Sequence, residues 1–88
     1  MTWKLIFSSS ARRNLRKLPL NDRRRIDRAL DELALDPSQG DVLPLRNHPA
    51  EFRKRVGDYR VFFDLERHER LIRVHDIVRR TSTTYRRR

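Results

Sequence analysis

Arg53, Arg55 and Arg60 are the residues whose types and spacing first suggest chemistry. They lie in two β-prone runs, FRKRV (52–56) and YRVFFDL (59–65), joined by Gly57-Asp58. A Gly-Asp pair between such runs marks a hairpin, because glycine supplies the positive φ of a tight turn. Side chains alternate faces along a strand. Arg53 and Arg55 therefore share one face, and the hairpin brings Arg60 to the same side. Arg79 and Arg80, just past the last apolar run, are placed to join its edge. Guanidiniums this close repel unless an anion lies between them. Their forks match phosphate oxygens two at a time, so a nucleic-acid backbone is the natural anion. The plain alternative is a set of solvated arginines on the wet face of a half-buried sheet.

Lys54 is the odd member of the run. Period two puts it on the core side with Phe52 and Val56. Either its amine snorkels to an edge, or a bulge shifts the register and brings it to the basic face.

These side chains need a sheet to hold them. Residues 2–7 (TWKLIF) read as a strand, with Trp3, Leu5 and Phe7 alternating against Lys4 and Ile6. Ser8, Ser9 or Ser10 caps a helix running to about Lys17, with Ala11, Leu15 and Leu18 on one face. Pro19 separates it from a second helix, which carries Ile26, Ala29, Leu30 and Leu33 inward and ends before Pro37. Residues 37–50 are a proline-rich loop with a short strand around 42–46. The hairpin follows, then a turn at 66–70 and a last strand at 71–78. The expected fold is α+β: an N-terminal strand, a two-helix hairpin, and an antiparallel strand meander forming one sheet packed on the helices.

The chain of 88 residues, with a net charge of +10, has the length of a single domain spanning 1–88. Residues 51–88 hold twelve cations against six acids, and Arg86, Arg87 and Arg88 supply half of that surplus as a basic tail expected to fray. A sequence pI near 11.4 points to a polyanionic partner. The absence of cysteine excludes disulfide scaffolds, thiol catalysis and cysteine-based zinc fingers. No apolar run approaches the ~20 residues of a membrane span, and no signal peptide is visible, so the expected compartment is the cytoplasm and no membrane partner is expected.

Over nearly its whole length the sequence resembles the RelE/ParE superfamily of toxins from type II toxin–antitoxin modules. The resemblance rests on LPLNDRRRIDRAL (18–30), LPLRNHPAEFRKRVGDYRVFFDL (43–65) and VRRTSTTYR (78–86). It implies a ribosome-dependent endonuclease that cuts mRNA without metal or other cofactor, by attack of a ribose 2′-hydroxyl on the adjacent phosphate. It places Arg53 and Arg55 where the family's strand carries lysines, Arg60 after the hairpin turn, and Arg80, with Arg79 second, beyond the last strand. Tyr85 matches the C-terminal tyrosine. Arg60, Arg80 and Tyr85 are thus the expected catalytic residues, and Arg53, Arg55, Lys54 and Arg79 the expected substrate-binding ones. It also implies a cognate antitoxin that folds on binding and carries the toxin–antitoxin complex to operator DNA.

One departure matters. Lysine can lose its proton when its pKa falls, whereas arginine stays charged. Arg53 and Arg55 can neutralise a phosphate but cannot act as base. Tyr85 is the leading candidate, with Lys54, His48 and His75 behind it. Two other readings stay open: a ParE-like inhibitor of DNA gyrase, and a catalytically weak nucleic-acid or antitoxin-binding module. Arg60, Arg80 and Tyr85 together favour cleavage, since the ParE branch usually lacks the full set.

Overall fold

A computed structural model describes residues 2–80. The elements follow as β1 (Lys4–Phe7), α1 (Ser9–Lys17), α2 (Leu20–Leu35), β2 (Val42–Pro44), β3 (Phe52–Val56), β4 (Tyr59–Glu66) and β5 (Leu71–Arg79). The five strands form one sheet in the order β1-β5-β4-β3-β2. The meander β2-β3-β4-β5 is antiparallel, and β1 adds to β5 in parallel. A parallel neighbour needs a crossover, and the helical hairpin provides it.

Ser8 makes the turn from β1 into α1. Its Oγ accepts the Ala11 N–H at 3.0 Å, capping the helix, and donates to the His75 carbonyl at 2.6 Å, pinning the cap to β5. Leu18 and Pro19 are extended, and α2 starts at Leu20 with Asp22 in its first turn, where a carboxylate suits the helix dipole. The helices cover one face of the sheet. Ala11, Ile26, Ala29, Leu30 and Leu33 pack onto Val56, Tyr59, Val61, Phe63, Ile72, Val74 and Ile77. The other face carries the arginines, and α1 reaches its edge through Ser10 and Asn14, which donate to Asp76.

The β3–β4 turn is built as expected, with Gly57 at φ +58° and Arg55 directly opposite Arg60. A Cβ at Gly57 would lie 2.8 Å from Arg25 Nη1, so glycine also lets α2 seat its arginine against the turn. The β4–β5 ladder holds a bulge. Phe62 pairs with Asp76 and Phe63 with Val74, leaving His75 unpaired. Before the bulge, even-numbered residues of β5 face the core (Ile72, Val74). After it, an odd-numbered one does (Ile77). That parity change decides where the end of β5 points.

Candidate active site

The open face of β3 and β4 presents Arg53 and Arg55, then Arg60, Phe62 and Asp64. Arg53, Arg55, Arg60 and Arg80 converge on a cavity of about 270 Å³, completed by Leu45, His48 and Phe62. Arg53 is anchored: its Nη1 lies 3.3 Å from Asp41 Oδ1 and 3.3 Å from the Asp41 carbonyl. Arg80 is held through its backbone, whose N–H donates to the Asp58 carbonyl at 2.6 Å. Arg55 and Arg60 form no ion pair with any described residue, although they face each other across the ladder. Like charges directly opposite are destabilising by some tenths of a kcal/mol. A phosphate between them reverses that sign, because each guanidinium offers paired donors to two oxygens.

Lys54 and Arg79 do not belong to this group. Lys54 is 3% exposed on the helix side of β3, and its Nζ donates to the Gln39 carbonyl at 2.9 Å with Glu32 at 3.9 Å. It snorkels to the loop after α2 rather than reaching the basic face. That loop comes so close that a Cβ at Gly40 would sit 2.7 Å from Nζ, which suits a glycine at φ +86°. Arg79 is the last residue of β5, not a residue beyond it. The bulge turns it to the helix side, where its guanidinium lies 6.0 Å from the Tyr59 ring centre. Arg80, one residue on, reaches the cavity. Tyr85 and the basic tail at 86–88 lie outside the described residues.

The hairpin is tied down from the helix side by Tyr59, which is buried and donates its hydroxyl to Asp22 Oδ2 at 2.8 Å. Burial, then the hydrogen bond to Asp22 and its charge, push the phenol above its ordinary value. This phenol is therefore structural and stays protonated.

Of the cavity's other residues, the sequence marks His48 only as a trailing candidate base and does not mark Phe62 at all. Phe62 stands on the open face among arginines, and an aromatic there was the visible signal. His48 comes from the proline-rich loop and stacks on Phe62, with ring centres 4.8 Å apart and planes at 25°. Its Nδ1 accepts the Ala50 N–H at 3.0 Å, which puts the ring proton of the neutral form on Nε2. A neutral imidazole held this way has no free lone pair, so His48 is a donor and a stacking surface rather than a base. His75 is engaged by Asp64, Nε2 to Oδ2 at 2.8 Å. Among the described residues, no group of three His, Asp or Glu side chains is placed to hold a metal ion. No helix there is long and apolar enough to cross a membrane.

The family model for the ParE toxin of type II toxin–antitoxin systems (parDE) matches residues 5–83. The chain belongs to this toxin family. Its fold is that of RelE toxins, and both sit within the RelE/ParE superfamily. It is similar to a chain of the toxin–antitoxin complex RelBE2 from Mycobacterium tuberculosis, with TM-score 0.79 and 24% identity over 91% of this chain and 100% of that one. A chain of the archaeal RelE–RelB complex from Pyrococcus horikoshii OT3 superposes with TM-score 0.77 and 25% identity, over 93% and 99% of the two chains. The isolated E. coli RelE toxin gives TM-score 0.77 and 21% identity over 94% and 90%. No curated protein matches by sequence.

Proposed function

We propose that this type II toxin is a ribosome-dependent mRNA endonuclease whose open-face arginine cavity holds the scissile phosphate. The observation that carries this reading is the Arg55–Arg60 pair, directly opposed, without an acidic partner among the described residues, and flanked by Arg53 and Arg80 around one cavity. In the reaction a ribose 2′-oxygen forms a bond to phosphorus and the P–O5′ bond breaks, giving a 2′,3′-cyclic phosphate and a 5′-hydroxyl. Arg60 and Arg80 stabilise the charge that builds on the non-bridging oxygens, a contribution of ~3–4 kcal/mol for one preorganised donor. Arg55 and the Asp41-anchored Arg53 clamp the strand. The ribosome's hold on the mRNA supplies much of the in-line alignment. By the resemblance, Tyr85 is assigned the 2′-hydroxyl proton, a role open to a phenol whose pKa neighbouring guanidiniums would lower, and the departing O5′ takes its proton from water. No metal or cofactor enters this scheme.

RelE chains of two similar structures are complexed with antitoxins, which supports a cognate antitoxin partner for this chain and, through that antitoxin, binding to operator DNA. The place of action is the cytoplasm, where ribosomes and mRNA meet. The matching family's ParE description favours a second reading, a toxin directed at DNA gyrase. Two assays on the purified toxin separate them: 5′-end mapping of an mRNA in a reconstituted translation reaction, with and without ribosomes, and gyrase supercoiling. Ribosome-dependent cuts with unaffected supercoiling are expected. Intact mRNA with inhibited supercoiling would hand the function to the gyrase reading.

A further inference from the structure

A second cavity, of about 400 Å³, lies on the open face across the His48–Phe62 stack from the arginine cavity, and both stacked rings line both cavities. Its volume falls within the ~300–1,000 Å³ of small-ligand sites. Its other lining residues are Ser10, Pro49, Ala50, His75, Asp76 and Val78. One residue in four of this chain is lysine or arginine, yet none of these is. The two cavities thus divide in character along a single aromatic ridge, one lined by arginines, the other by Pro49, Ala50 and Val78 together with Ser10, His75 and the Asp76 carboxylate. A nucleotide likewise joins an anionic phosphate to a neutral base.

We infer that the second cavity takes the nucleobase adjacent to the phosphate held by Arg55 and Arg60, which makes it a base-selecting pocket of the same site. The inference rests on the RNA-cleaving reading above. The ridge gives the base an aromatic surface to pack against. Asp76 gives selection. Its Oδ1 already accepts from Ser10 Oγ (3.1 Å), Asn14 Nδ2 (2.7 Å) and its neighbour Ile77 N–H (2.9 Å), which fixes the carboxylate in place. Oδ2 accepts no hydrogen bond from a described residue. A fixed carboxylate repels a second phosphate and welcomes an amino group. Guanine, adenine and cytosine each present one, whereas uracil presents two carbonyl oxygens flanking its N–H. Uridine is therefore the disfavoured nucleoside.

The test is equilibrium binding of inorganic phosphate, ribose 5-phosphate and the four nucleoside 3′-monophosphates to the full chain. Guanosine, adenosine and cytidine phosphates are expected to bind about tenfold more tightly than ribose phosphate, the scale of one base–aromatic stack, with uridine phosphate clearly weaker. Asp76→Asn should erase the discrimination against uridine. Because Asp76 also anchors α1, Val78→Phe serves as the second variant. Val78 is 39% exposed, so the larger ring fills the cavity without entering the core. It should abolish the tenfold gain of the nucleotides over ribose phosphate, so that all five sugar phosphates bind Val78→Phe alike. Equal binding of ribose phosphate and all four nucleotides would overturn the base pocket while leaving the phosphate site standing. Failure of every phosphate compound to bind would overturn both.

Discussion

Removing one of the two opposed arginines should make the free protein more stable. Arg55→Gln is the clean perturbation, since Arg55 is exposed and makes no ion pair with a described residue. Arg55 and Arg60 are Cα partners in the ladder. For two unit charges at a separation of ~8 Å, Coulomb repulsion would run from ~0.5 kcal/mol at the dielectric of water to ~2 kcal/mol at an effective value near 20. Measured like-charge pairs on sheets sit at or below ~1 kcal/mol. The expected gain is thus about 0.5–1 kcal/mol, or a rise in Tm of about 2–8 °C for a domain of this size. Thermal unfolding in a phosphate-free, low-salt buffer reads it directly. In 1 M salt, where the screening length is ~3 Å, the gain should vanish. Added phosphate should then stabilise the wild type more than the variant, by linkage. A variant less stable than the wild type at low salt would refute the reasoning, because Arg55 would then hold the fold together rather than await an anion.

Three further outcomes follow from the same geometry. Tyr59→Phe removes the bond to Asp22 and should cost about 1.5–3 kcal/mol in denaturant unfolding at neutral pH. Because the folded-state value of Tyr59 is raised, its contribution is complete below pH 10 and is lost as pH rises through that raised value, so the stability gap between wild type and Tyr59→Phe should narrow in strong alkali. Single-stranded RNA binding by the free toxin should weaken with salt along a log–log slope near −3.5 if about five phosphates are neutralised, and Arg55→Ala should reduce that slope by about 0.7. Lys54→Met, on the other face, should leave the slope unchanged while lowering stability by about 1–3 kcal/mol through the lost charged hydrogen bond to Gln39.

The architecture was legible because local signals agreed with the global fold. Ser8 caps, Pro19 breaks, Gly57-Asp58 turns, and period two sorts Arg53, Arg55 and Arg60 onto one face. Period two also places Lys54 against the core, and its Nζ does snorkel, so the alternative of a bulge that would bring it to the basic face gives way to the geometry. The end of β5 could not be read. A bulge at His75 has no clear sequence mark, yet it inverts the faces, so that Arg80, the residue the resemblance put first, reaches the cavity while Arg79 turns to the helix side. The parallel pairing of β1 with β5 is long-range, and nothing local encodes it. His48 reached the site by the path of a loop, which depends on how Pro49 and Ala50 pack rather than on any periodicity.

Arg60 and Arg79 make the decisive comparison, since both belong to the hairpin-proximal end of the sheet and the structure sends them to opposite faces. The measurement is the rate of mRNA cleavage, by 5′-end mapping on programmed ribosomes, for wild type, Arg60→Ala and Arg79→Ala. Arg60→Ala should lose about 100- to 1,000-fold, the cost of one transition-state donor, while Arg79→Ala stays within a few-fold of wild type. Equal losses in the two variants, or full activity in Arg60→Ala, would contradict the placement of the chemistry on the open face.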